Sequence, residues 1–174
     1  MVSKTEMDKG RVRTMLQRDD IAKIIEEYDR MKLRIGMTAS HSALDICDGG
    51  IEEGFPTVAY CQEGRHKTYA NYFKTKRSGS GRVLRGMVDK AIVMPSFNDV
   101  MDESMQVEMR KRNVVYIPNR SFTSYSSIED VENKFEVPLF GSRNMLRMEE
   151  RTEEQDYYWI LDKAGLPYPE AIEN

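Results

Sequence analysis

The chain has 174 residues, with 26 Lys and Arg against 29 Asp and Glu and a formal net charge of -3, too close to balance to call for a polyanionic partner or an acidic disordered tail. Apolar residues make up 40% and charged residues 32%, enough to bury a real core beneath a heavily solvated surface, which excludes a wholly disordered chain. The longest apolar runs, such as Ala91 to Met94 and Val114 to Ile117, are strand-sized and far short of the roughly 20 residues that cross a bilayer.

Residues 1–18 carry charges of both signs and no apolar run of the kind a signal peptide needs, so they read as a polar amino-terminal segment of a cytoplasmic chain. Asp19 or Asp20 can then cap a helix whose apolar positions Ile21, Ile24, Ile25, Tyr28 and Met31 recur at helical spacing. Leu33 to Thr38 is a first strand, Ser40-His41-Ser42 a turn, and Ala43, Leu44, Ile46 and Cys47 lie on a second helix that Gly49 and Gly50 are expected to end. Gly54 to Pro56 make the return, and the β-branched and aromatic run Thr57 to Cys61 is a second strand. Cys47 and Cys61 therefore fall on a helix and a strand, where two buried, reduced thiols are expected. Set beside His41 and His66 they lack the short spacing of a metal site, so no metal is expected from them.

The next stretch is basic, with Lys67, Lys74, Lys76, Arg77, Arg82, Arg85 and Lys90 opposed only by Asp89, and Ser78-Gly79-Ser80-Gly81 reads as a flexible connector within it. Ala91 to Met94 is a third strand, Pro95-Ser96 a turn, and Phe97, Met101, Met105 and Met109 form a stripe down a third helix. Asn113 to Ile117 is a fourth strand leading into Pro118-Asn119-Arg120-Ser121. A mixed segment follows, then a helix from about Glu150 to Ala164 closed by Gly165. Strands alternating with helices predict an open, mostly parallel α/β sheet with helices on both faces, all within one domain over residues 19–169.

In such a sheet ligands bind beyond the carboxyl ends of the strands. The residues there are small and polar: Ser40-His41-Ser42, then Glu63-Gly64-Arg65-His66, then Ser96 and Asn98, then Asn119-Arg120-Ser121. Ser40, His41 and Ser42 also stand at a helix start, where unpaired amides and the helix dipole favour a phosphate or carboxylate. Arg65 and Arg120 add guanidinium groups suited to bidentate phosphate recognition. The plain alternative makes Ser40 a helix cap, His41 a surface residue and both arginines solvated turn residues. The basic run from Lys67 to Lys90 is ordinarily solvated too, although such a loop can close over an anionic ligand or touch RNA. No Walker A loop, nucleophile elbow, Cys-x-x-Cys or His-Glu-x-x-His is present, and no catalytic residue can be assigned.

These residues also carry a resemblance. Ser40-His41-Ser42-Ala43-Leu44, Glu53-Gly54-Phe55-Pro56-Thr57-Val58, Val114-Val115-Tyr116-Ile117-Pro118 running on to Ser121-Phe122, and Val137-Pro138-Leu139-Phe140-Gly141-Ser142-Arg143 resemble the amino-terminal domain of the archaeal formate-dependent 5-formaminoimidazole-4-carboxamide ribonucleotide synthetases. The resemblance spans about Asp20 to Pro169. It implies a Rossmann-like pre-ATP-grasp domain over 19–169 that holds a ribonucleotide, with 170–174 as the start of a linker to an ATP-grasp part that the sequence does not contain. It implies an ATP-dependent C–N ligase of purine biosynthesis that activates formate as formyl phosphate for capture by aminoimidazole carboxamide ribonucleotide. ATP and magnesium are implied for the full-length family and none for this chain alone, which is expected to be inactive. The family's ligand histidine and serine fall on His41 and Ser121.

Two departures stand out. The family pattern has glycine just before the Ser-His pair and just before the second serine, where this chain has Ala39 and Arg120, and glycine is the residue that best allows close backbone approach to a ligand. The basic stretch from Arg77 to Gly86 is also longer than is typical of the family. Implied partners are the ribonucleotide, formate and either a second copy or an ATP-grasp partner, with no membrane. A non-catalytic nucleotide- or phosphate-binding module is the competing reading; net charge and the lack of an aromatic platform argue against RNA.

Overall fold

The computed structural model describes residues 16–143, 145–148 and 155–169. Residues 1–15 of the expected polar segment 1–18, the expected segment 170–174, and the first part of the expected helix from Glu150 therefore lie outside the described residues.

Four strands form one parallel sheet: β1 (Arg34–Thr38), β2 (Thr57–Gln62), β5 (Lys90–Met94) and β6 (Val114–Tyr116), in the order β5-β2-β1-β6. All four were legible as apolar runs, because a parallel sheet covered on both faces needs apolar side chains in both directions. Helix α2 (Ala43–Glu52) connects β1 to β2 and covers one face, where Met37, Ala39, Ala43, Cys47, Ala59, Cys61 and Val88 are buried together. Helices α3 (Glu103–Lys111), α4 (Arg120–Tyr125) and α5 (Ile128–Lys134) cover the other, over Val58, Tyr60, Met94, Met109, Val114, Tyr116, Phe122, Val131 and Phe135. Helices on both faces is thus the arrangement found. Beyond β6, the Tyr116 amide donates to the Pro138 carbonyl at 2.8 Å and the Phe140 amide to the Tyr116 carbonyl at 2.9 Å, which pairs the outer edge of the sheet.

The second core is aromatic and depends on a gap in β1. Tyr116, Phe122 and Phe135 meet in tilted and edge-on contacts with centroids 4.9–5.3 Å apart, the geometry that ring quadrupoles favour. Gly36 makes the room: a Cβ there would lie 2.5 Å from Val114 Cγ1 and 3.2 Å from Tyr60 Cε2. Burial pushes the Tyr60 and Tyr116 phenols well above the usual tyrosine range, so both stay protonated. Cys47 and Cys61 are buried free thiols, as expected, and burial raises each to about 12, which keeps them from acting as thiolates near neutral pH.

Several boundaries differ from the sequence reading. Helix α1 (Arg18–Glu26) starts after Gln17, whose amide donates to Asp20 Oδ2 at 3.0 Å, so Asp20 acts from inside the first turn. The helix has no buried residue, and Met31, expected on its apolar face, sits 93% exposed in a short 3-10 turn. Gly49 and Gly50 do not end α2. They lie inside it, where the missing Cβ of Gly50 lets the helix ride close to Thr57 Cγ2, and Gly54, at φ +81°, makes the reversal instead. The methionine stripe is split: Phe97 and Met101 lie on a 3-10 turn, and a new α-helix, α3, begins after Asp102.

The basic stretch is more ordered than a connector. A π-turn at Thr68–Tyr72 precedes a hairpin of β3 (Lys76–Arg77) and β4 (Val83–Arg85), with Ser78-Gly79-Ser80-Gly81 between the strands. Its base is tied beside the amino ends of β2 and β5. There Asp89 Oδ2 accepts from the Thr57 amide at 3.0 Å and Asp89 Oδ1 pairs with the Arg77 guanidinium at 2.8 Å. It therefore stands at the end of the sheet opposite the strand termini expected to bind an anion. The terminal helix closes at Gly165, φ +67°, as expected, but it does not run from Glu150: α7 (Tyr157–Lys163), after the short α6 (Met145–Met148), starts only after Asp156, whose extended backbone and side-chain bond to the Trp159 amide cap it. Among the described residues no helix is long and apolar enough to cross a membrane.

Candidate functional site

Strands β1 and β6 are hydrogen-bonded neighbours, yet the chain leaves them in opposite directions: β1 feeds α2 on one face and β6 feeds α4 on the other. Two adjacent strands whose continuations part in this way open a crevice at their carboxyl ends. One side chain bridges it. Asn119, 8% exposed, donates from Nδ2 to the Thr38 carbonyl at 2.9 Å and the Ser40 carbonyl at 3.1 Å, while its Oδ1 accepts from the Phe122 amide at 3.2 Å. The same amide thus satisfies two carbonyls of the β1 turn and caps α4. Beneath it the Tyr116 hydroxyl and Thr38 Oγ1 stand 2.7 Å apart. Asn119 was read only as part of a polar strand end; its bridging role depends on strand order, which has no local signature.

The β1 turn carries three of the expected residues. His41 is exposed and held at φ +44°, a left-handed conformation that is uncommon for a residue with a side chain. Such residues concentrate where surrounding structure imposes the conformation, functional sites among them. Ser42, not Ser40, occupies the cap position of α2, and neither serine hydroxyl caps the helix; the Ser40 carbonyl instead receives the Ala43 amide at 3.1 Å. Both hydroxyls remain available to a ligand. Asp45 in the first turn of α2 lessens the helix's pull on an anion.

Across the crevice, Ser121 lies in the first turn of α4 and is 6% exposed, and its hydroxyl bonds to none of the described residues. The residue is nearly buried but its hydroxyl oxygen still reaches solvent, unlike Ser126 Oγ, which is buried without a partner among the described residues. Arg120 is exposed beside Ser121, and its carbonyl accepts from Thr123 Oγ1 and Ser124 Oγ. Arg65, on the loop after β2, donates from Nη1 to the Tyr125 hydroxyl at 3.2 Å, and the Tyr125 ring packs on Phe97, after β5, at 4.9 Å. Loops from all four strand ends are therefore linked at one rim through the segment Asn119 to Tyr125. Tyr125 had no signal of its own in the sequence. A separate groove of about 720 Å³ lies between α1 and residues 139–143, but none of the six expected residues lines it. Of the two arginines that line it, Arg18 and Arg143, the second is committed to the Val131 and Val137 carbonyls.

A parallel α/β sheet with helices on both faces and a polar crevice at its switch point defines the doubly wound class. Its family follows from comparison: residues 35–172 match the model of the family described as "Protein of unknown function (DUF1246)", and the chain belongs to that family. It is 36% identical over 161 residues to a 5-formaminoimidazole-4-carboxamide-1-(beta)-D-ribofuranosyl 5'-monophosphate synthetase of Methanopyrus kandleri, covering 92% of this chain and 40% of that protein. The protein of the same name from Methanocaldococcus jannaschii is 33% identical over 161 residues, with the same coverage. Among solved structures, an IMP biosynthesis protein PurP from Thermococcus kodakaraensis matches with a TM-score of 0.56 and 28% identity, over 80% of this chain and 39% of that one. The chain thus spans about 40% of the length of the curated relatives it matches, and the resemblance read from its motifs is borne out.

Proposed function

We propose that this chain is the ribonucleotide-holding, amino-terminal part of an ATP- and formate-dependent ligase that formylates aminoimidazole carboxamide ribonucleotide in cytoplasmic purine biosynthesis. The observation that carries this reading is the crevice between β1 and β6, where Asn119 joins the Thr38 and Ser40 carbonyls, beside His41, to the Phe122 amide, beside Ser121. His41 and the start of α2 hold the phosphoribosyl portion, with Ser40 and Ser42 offering hydroxyls. The unpartnered Ser121 hydroxyl hydrogen-bonds the substrate from the other wall, and Arg65 and Arg120 supply positive charge at the mouth. The departures at Ala39 and Arg120 bear on how closely backbone approaches the ligand. Ala39 is buried and its amide donates to the Tyr60 carbonyl at 2.8 Å, so substrate contact falls to the exposed turn beyond it.

In this reading ATP with magnesium supplies the phosphoryl group that activates formate. Among the described residues there is no group of three or more His, Cys, Asp or Glu side chains that could hold a metal ion, so none of them is assigned a step through magnesium. The ATP-grasp part belongs outside them, in the same polypeptide or in a partner.

Calorimetric titration of aminoimidazole carboxamide ribonucleotide into the chain is the test. Binding that His41→Ala and Ser121→Ala each weaken by roughly tenfold or more, the cost of a lost hydrogen bond to a charged or buried group, supports the assignment. Inorganic phosphate binding as tightly as the ribonucleotide would instead identify a simple phosphate module, and unchanged affinity in both variants would remove the two residues from the site.

A further inference from the structure

Ser121 and Tyr125 stand four residues apart on α4 and so share one face of that helix. Tyr125 is 44% exposed at the rim, yet its position is fixed at two points, with its ring against Phe97 at 4.9 Å and its hydroxyl accepting from Arg65 at 3.2 Å. These two contacts hold the ring in one place at the rim. A pre-positioned aromatic surface one turn from a serine hydroxyl that bonds to none of the described residues suits a flat heteroaromatic group carrying hydrogen-bonding substituents, since stacking reads a π-face while the hydroxyl reads an edge.

We propose that Tyr125 is the platform on which the heterocycle of the ligand stacks, making it a specificity-determining residue that separates a ribonucleotide from a bare sugar phosphate. The proposal rests on the ribonucleotide reading above and adds a division of labour to it. The β1 turn takes the phosphoribosyl end, and the Ser121–Tyr125 face of α4 takes the ring. Arg65 positions Tyr125 through its hydroxyl in the free protein.

The experiment compares aminoimidazole carboxamide ribonucleotide with ribose 5-phosphate on the wild-type chain, Tyr125→Ala and Tyr125→Phe. Wild type is expected to bind both, the ribonucleotide more tightly. Tyr125→Ala should weaken the ribonucleotide by roughly ten- to a hundredfold, the range that base–aromatic stacking supplies, and leave ribose 5-phosphate unchanged, which also shows that the rim is still folded. Tyr125→Phe keeps the ring, loses the Arg65 hydrogen bond and should retain most of the ribonucleotide preference. If Tyr125→Ala leaves that preference intact, or weakens both ligands equally, the platform is overturned while the ribonucleotide reading stands. If wild type binds neither ligand, the ribonucleotide reading fails and the platform fails with it.

Discussion

At the carboxyl end of the sheet, one buried amide, Asn119, joins two loops, and the groups around it are hydroxyls, a histidine in a left-handed turn and an exposed tyrosine, with Arg65 and Arg120 at the rim. At the amino end, beside the starts of β2 and β5, Lys76 faces Arg85 across the hairpin, with Arg82 near its turn and none of the three ion-paired to a carboxylate among the described residues. The second region has much the greater charge. It also has the less constructed surface, since like charges directly opposite one another weaken an antiparallel pair, and its partly buried carboxylate, Asp89, is occupied with Thr57 and Arg77. A run of cations marks where solvent screens charge cheaply. A convergence of loops held by buried hydrogen bonds marks where a ligand can be held in one orientation.

Substitutions at the two ends test that contrast. The largest effect is expected from Asn119→Ala, which leaves the Thr38 and Ser40 carbonyls without this donor and removes the α4 cap. Urea denaturation should show a loss of about 2–4 kcal/mol, and the residual folded protein should bind the ribonucleotide poorly; a loss well under 1 kcal/mol would mean that the crevice is not organised by this side chain. Asp89→Ala should cost less, about 1–2 kcal/mol, for the Thr57 amide and the half-exposed Arg77 pair. Its decisive readout is ribonucleotide affinity, which should not move; a drop would show that the two ends communicate. Smallest is Lys76→Glu, which turns a repulsive cross-strand pair into an attractive one and should stabilise the protein by roughly 0.2–1 kcal/mol. That gain should fade as salt rises. Destabilisation at low salt would indicate that the hairpin cations already answer an acidic surface.

The strands were readable because burial on both faces writes them as uninterrupted apolar runs, as in Thr57 to Cys61. Gly54 and Gly165 were readable as reversals because each adopts a positive φ. Gly49 and Gly50 misled for the complementary reason: glycine also serves close approach, and nothing local distinguishes a helix that ends from one that presses on Thr57. Helices α4 and α5 were missed since Arg120–Tyr125 and Ile128–Lys134 complete too few turns to display a period, and their Asn119 and Ser127 caps read as loop. At the site, the polar strand ends and the six candidate positions could be named from sequence. The partners of those positions could not, because the Asn119 and Arg65 bonds span separations of 79–81 and 60 residues and exist only once strand order is known.

With its amide and carbonyl both taken by Pro138 and Phe140, Tyr116 leaves the β6 flank of the sheet sealed by the chain itself. The β5 flank is different: among the described residues no strand pairs with its outer side, and Val93 there is 46% exposed. Growth of the sheet by a foreign strand, whether in a fusion protein or in an aggregate, is therefore one-sided. A lysine in place of Val93 would be the most economical guard against it in concentrated preparations.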